Sequence, residues 1–167
     1  YNYMRDDLRE HYLMPLCIKL FRQRWYMVGR QWPSGNDTIY SLDRIRGFRL
    51  SSHTFENPKD FNPKEYFDGC FGIIAATDCD TQKVRLKVNS GQANYLRDLP
   101  LHESQQETER TEEYSIFEYH LRPTFDFQQE ILWNGEDVEV LEPLWLRNEI
   151  AGKIKRMWNK YNKEELL

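Results

Sequence analysis

The chain has 167 residues, 30% of them charged and 40% apolar, with a formal net charge of −4. That length suits one sizeable domain or two small ones, and no apolar run approaches the roughly 18–20 residues of a membrane span. Three scattered cysteines, Cys17, Cys70 and Cys79, argue against a secreted disulfide framework. The chain opens at Tyr1-Asn-Tyr3 with neither a signal peptide nor an initiator methionine, and is expected to be a fragment of a longer cytoplasmic protein. Asn36-Asp-Thr38 fits a glycosylation sequon, but nothing else in the sequence points to secretion.

Residues 1–5 predict a short strand, turned by Asp6-Asp7. Residues 12–21 alternate, which places Met14, Leu16, Ile18 and Leu20 on one side and Lys19 on the other. A third strand over 25–30 sets Trp25, Met27 and Gly29 against Arg24, Tyr26, Val28 and Arg30. Trp25 and Met27 also read as plain core residues. The turn formers of Trp32-Pro-Ser-Gly-Asn-Asp37 then make a hairpin loop. A return strand is predicted over 38–45, a bend at Gly47 and a last short strand over 48–50. Five short strands joined by hairpins close most naturally as a small barrel, because closure removes exposed edges.

Residues 51–62 are polar, contain Pro58 and lack periodicity, as a linker does. Asn62-Pro-Lys-Glu65 has the N-cap, the first-turn proline and the third-position glutamate that start a helix over 63–67, which Gly69 can end. The remainder reads strand, helix, strand, strand, helix, strand. Residues 83–88 bury Val84, Leu86 and Val88, and residues 92–98 are helical. Residues 101–108 pair with 114–122 through the charged turn 109–113, with Phe117, Tyr119 and Leu121 toward the core. A helix capped by Thr124 or Asp126 runs to Trp133, and residues 138–141 form the last strand. This order is that of a ferredoxin-like βαββαβ domain. A final helix opens at Pro143 with Leu146, Ile150, Ile154, Met157 and Tyr161 in one stripe, and Arg147, Lys153, Lys155, Arg156 and Lys160 opposite.

Charge is divided unevenly. Residues 1–50 hold nine Lys/Arg, eight of them arginine, against five Asp/Glu, a balance of +4. The remaining residues hold fourteen against twenty-two, a balance of −8. A basic first third suggests that this part meets an anion. Arginines ringing the aromatics of Arg22-Gln-Arg-Trp-Tyr-Met-Val-Gly-Arg30, followed by Arg44-Ile-Arg-Gly-Phe-Arg49, suit a phosphate and a stacked base better than bond-breaking chemistry.

The run Arg24-Trp-Tyr-Met27, preceded by His11-Tyr-Leu-Met-Pro-Leu16 and followed by Leu42-Asp-Arg-Ile45, resembles the WYL-domain family of bacterial transcriptional regulators. Met27 stands where that family has leucine, a volume-conserving exchange. Phe71-Gly-Ile73, Pro100-Leu-His-Glu-Ser-Gln105 and Gly135 with Val138-Glu-Val-Leu141 resemble the family's C-terminal extension. The resemblance implies a Sm/SH3-like barrel over residues 1–52, a linker with a short helix over 53–77, and a ferredoxin-like extension over 78–167. It also implies an effector-sensing role for a nucleic-acid or nucleotide-like ligand, a homodimer, and DNA reading by an N-terminal winged helix-turn-helix outside this chain. It carries over Trp25, Tyr26 and Met27 as the motif strand and Arg44 as the ligand-contacting arginine. Arg24, Arg30 and Arg46 join by charge, and Tyr26 or Tyr40 by its capacity to stack a base.

The sequence holds no GxGxxG, P-loop, GxSxG, HExxH or CxxC. His11, His53, His102 and His120 are widely separated, and His102 reads as a structural histidine or an interdomain hydrogen-bonding group. Asp78 and Asp80 are spaced like the first acidic positions of a calcium loop, but Lys83 stands at its glycine and Asn89 at its bidentate glutamate. The expectation is therefore a non-enzymatic binding module with no metal and no cofactor. A protein-interaction or dimerisation scaffold, with Trp158 and Leu166-Leu167 as apolar contacts, and a nucleotide-processing enzyme are the alternatives.

Overall fold

Residues 12–41 form three antiparallel strands in the computed structural model, which describes residues 1–2, 5–75 and 79–162. Tyr3, Asp78 and Leu166-Leu167, each named in an expectation above, lie outside the described residues. Strand β1 (Tyr12–Phe21), β2 (Arg24–Trp32) and β3 (Asp37–Ser41) make one sheet in that order. They belong to a first compact unit, Tyr1–Asp68; the second is Gly69–Leu167.

The predicted closed barrel is not formed among the described residues. β3 ends at Ser41 and passes into a 3-10 turn, Leu42–Arg44. Residues 48–50 form no strand, and Phe48 and Leu50 stand exposed. Among the described residues at the chain start, a bridge pairs Asn2 with Asp7. Closure would need two more strands, and the polar residues 45–62 lack the alternation that pairs one.

A bulge corrects the predicted faces of β1. The register slips between Pro15 and Cys17, and the extra residue reverses which side chains point inward. Cys17, Lys19 and Phe21 therefore share the inner face, while Ile18 and Leu20 are exposed. In β2 the alternation falls as the sequence suggests, with Val28 buried among Tyr26 and Arg30. Trp25 lies on the opposite face beside Leu20 and is 49% exposed, so it is not core. Asp60 and Phe67 reach the inner-face residues Arg30 and Lys19 from either side of α1 (Pro63–Tyr66). Its cap is the expected one: Asn62 accepts from the Lys64 N–H and donates to Glu65. Lys19 Nζ sits 4.0 Å from the centre of the Phe67 ring.

The second unit is a four-stranded antiparallel sheet with helices α2 (Ser90–Asp98), α3 (Phe125–Trp133) and α4 (Leu144–Tyr161). Strand β4 (Gln82–Asn89) is central, β6 (Tyr114–Leu121) and β7 (Val138–Glu142) flank it, and β5 (Gln106–Arg110) forms an edge. Val84, Leu86 and Val88 face Tyr119, Phe117 and Ser115 across β6, all fully buried. Ala93 and Leu96 of α2, Phe127 and Ile131 of α3, and Leu146 and Ile150 of α4 complete this core. The opposite face keeps Lys83 with Glu118 and Arg85 with Glu142, as alternating charge predicts. β5 starts later than predicted because residues 101–105 close a turn. There Gln105 bonds Leu101, Leu96 and Tyr119. His102 serves that turn, its Nδ1 2.8 Å from Ser104 Oγ.

Arg97 grips Glu107 with two bonds, of 3.0 and 2.5 Å, and also reaches Ser115. This guanidinium, more than the Ser115 hydroxyl, lowers the Glu107 carboxyl from 4.5 to about 2, against the opposing effect of partial burial. A carboxylate with a depressed folded pKa adds stability that is full above 4.5 and is lost as pH falls toward 2. The second unit is thus expected to weaken across that window, and Glu107→Gln to flatten the change. Denaturant midpoints recorded at successive acidic pH values check this.

Candidate anion-binding site

The predicted ligand residues all lie in the first unit, and strand parity sorts them. Tyr26 faces Ser41 and Arg30 faces Asp37 across the β2–β3 ladder, on the inner side with Arg24. Tyr40 faces Met27 on the outer side with Trp25. Tyr26 and Tyr40 therefore do not share a cleft. Tyr40 is engaged locally, accepting from Gln31 Nε2 at 2.5 Å with the His11 ring 5.5 Å away.

Arg30 stands apart from the other guanidiniums by several residues of strand. Its Nε and Nη2 donate to both oxygens of Asp37, at 2.7 and 3.0 Å. Its Nη1 donates to both oxygens of Asp60, at 3.1 and 3.0 Å. With its side chain only 17% exposed, Arg30 pins segment 57–62 to the sheet. Its guanidinium is raised by these two carboxylates, Asp37 first.

Arg24 and Arg46 meet at Asp43, beside Arg44, where β3 becomes the 3-10 turn. Arg24 Nη1 lies 3.2 Å from Asp43 Oδ2, and Arg46 Nη1 donates to the Asp43 carbonyl at 3.3 Å. The Ser41 hydroxyl donates to Asp43, and this bond holds the carboxyl below its usual range, helped by the charges of Arg24 and Arg44. Arg46 also lies 5.5 Å from the Tyr1 ring, and the Tyr1 backbone nitrogen is 3.0 Å from the Arg44 carbonyl oxygen. Asp43 thus holds the guanidiniums of Arg24 and Arg46 at an open surface and feels the charge of Arg44, with a ring against Arg46.

Charge along the sequence marks the three arginines, but not the anchoring role of Asp43 or the presence of Tyr1. Asp43 stands inside the Leu42-Asp-Arg-Ile45 motif, so its carboxylate was legible. The tie from Asp60 to Arg30 spans 30 residues and left no local signal. Among the described residues, no three His, Cys, Asp or Glu side chains gather as a metal would require, and no helix is long and apolar enough to cross a membrane.

Two antiparallel-sheet units in tandem, a basic cluster in the first and a helix-backed sheet in the second, define the molecule as a pair of small mixed α/β modules. Residues 80–158 of the second unit match the WCX domain, a WYL-related family, as the sequence resemblance implied. No curated protein matches the chain. Among solved structures, it is similar to a CRISPR Cas-related protein over 94% of this chain and 45% of the other, with 16% identity and a TM-score of 0.53. It is also similar to proteasome accessory factor B/C (PafBC) of Arthrobacter aurescens over 92% of this chain and 23% of the other, with 18% identity and a TM-score of 0.43. The chain spans less than half the length of either protein.

Proposed function

We propose that this chain is the effector-sensing portion of a DNA-binding transcriptional regulator and that the Arg24–Arg44–Arg46 cluster holds an anionic, nucleotide-like ligand. The gathering of Arg24 and Arg46 on Asp43, within the charge of Arg44, at one open edge of a basic unit carries this reading. Arginine forks onto phosphate, and a neighbouring ring can stack a base. The WCX match of the second unit supports a regulatory sensing role. The strand order β5-β6-β4-β7, with helices between β4 and β5 and between β6 and β7, favours a ferredoxin-like reading of that unit. In this reading the ligand shifts how the DNA-reading domains of a dimer are placed, those domains lying outside this chain.

Anisotropy of a labelled single-stranded oligonucleotide, titrated across a salt series, tests the reading. Affinity should fall with salt at a logarithmic slope of roughly −0.7 per phosphate neutralised. Arg44→Ala and Arg46→Ala should each weaken binding about tenfold, as loss of a charge-assisted contact does, with the melting temperature unchanged. Arg30→Ala should instead lower the melting temperature, since Arg30 anchors Asp37 and Asp60. Flat titrations of the wild-type chain would remove the ligand, and the sensing role with it.

A further inference from the structure

The apolar stripe of α4 is buried at one end of the helix and bare at the other. Leu146 and Ile150 sit in the core of the second unit, while Ile154, Met157, Trp158 and Tyr161 are 51, 48, 63 and 87% exposed. Leu146 and Ile150 lie in the first two turns of the 18-residue helix, which packs on β7, and the four exposed residues follow them toward its C-terminal end.

That end has a definite chemistry. Ile154, Met157, Trp158 and Tyr161 recur at i, i+3, i+4 and i+7, the spacing of side chains that anchor a helix in an apolar groove. At helical pitch, Lys160 runs along one margin of this stripe and Lys155 along the other, with Arg156 on the far face. Among the described residues, none of these three cations is paired with a carboxylate. From Lys153 to Tyr161 there are four basic residues and no acidic one.

We propose that the last two turns of α4 are a docking helix for a protein partner that presents an apolar groove rimmed by carboxylates. Charge complementarity selects this occupant. A second copy docking α4 against α4 would set these cations against one another. A bilayer would meet only about 12 Å of apolar helix, because the earlier part of the stripe lies inside the protein. A nucleic acid would find its cations at the margins and aliphatic side chains, Ile154 and Met157, at the centre of the stripe.

The test uses the intact chain and a labelled synthetic four-heptad peptide with leucine at its core positions and glutamate flanking them. Anisotropy should report saturable binding that weakens with salt. Binding should drop roughly tenfold or more in Met157→Ala/Trp158→Ala and in Lys155→Glu/Lys160→Glu. Far-UV circular dichroism of both variants should match the wild type, since all four positions are exposed. The proposal is overturned if the peptide does not bind, or if a lysine-flanked peptide of the same core binds equally. It is overturned too if the chain sediments as a dimer that Trp158→Ala dissolves. Binding of these variants' wild-type parent to phosphatidylserine vesicles or single-stranded DNA, abolished by the same substitutions while the acidic peptide stays unbound, also overturns it.

Discussion

Replacing Phe127 by alanine is expected to destabilise the second unit by about 3–5 kcal/mol, the range for emptying a fully buried aromatic position. Phe127 has no exposed surface. Its ring meets Phe71 edge-on at 5.4 Å and Tyr119 at 6.1 Å, so the substitution removes two aromatic contacts along with the buried area. The site has little freedom to collapse. Tyr119 is tied to Gln105, which also holds Leu101 and Leu96, and burial raises the Tyr119 phenol. A domain of this size has a total stability of roughly 5–15 kcal/mol, so the loss is a large share of it. Thermal unfolding should shift by roughly 4–8 °C for each kcal/mol lost. Trp133→Ala, at an exposed position on the same helix, should stay within about 0.5 kcal/mol of wild type. If Phe127→Ala costs no more than Trp133→Ala, α3 does not pack as described.

The second unit was legible because its sheet has one wet face. Val84, Leu86 and Val88 alternate with Lys83, Arg85 and Lys87, and a two-residue period with one face buried fixes both strand and orientation. The first unit resisted for two physical reasons. A bulge at Pro15–Cys17 reverses parity halfway along β1, and Ile18 and Leu20 look like core to any count that assumes an unbroken period. Alternation also says nothing about closure, so three strands followed by a polar stretch read as the start of a barrel. The basic cluster could be suspected from charge, but its membership could not. Arg30 and Arg24 share a face and a charge, yet two carboxylates convert Arg30 into a brace, and one of them lies in the stretch that looked like a linker.

Asp126 is the residue whose role the sequence hid most fully, and its replacement is expected to cost nearly as much as that of Phe127. The spacing suggests a helix cap; the carboxylate instead joins two distant segments. Oδ2 accepts the N–H groups of Ile73 and Ile74 at 3.0 and 3.3 Å, and Oδ1 accepts the Phe127 N–H at 3.0 Å and the Thr124 hydroxyl. Asp126 is itself buried, so few of these donors have water as a substitute. Leaving a buried donor without an acceptor costs about 1–3 kcal/mol, and charge-assisted bonds lie at the upper end. Asp126→Ala is therefore expected to lose about 2–4 kcal/mol, allowing for partial hydration near Ile73 and Ile74. Asp126→Asn should fall between, because an amide can accept on one side only. Hydrogen exchange separates this role from simple packing: Asp126→Ala should release the Ile73 and Ile74 amides well before global unfolding, and Phe127→Ala should not release them selectively. Unchanged protection at those two amides in Asp126→Ala would mean that something other than this carboxylate holds residues 73–74 against α3.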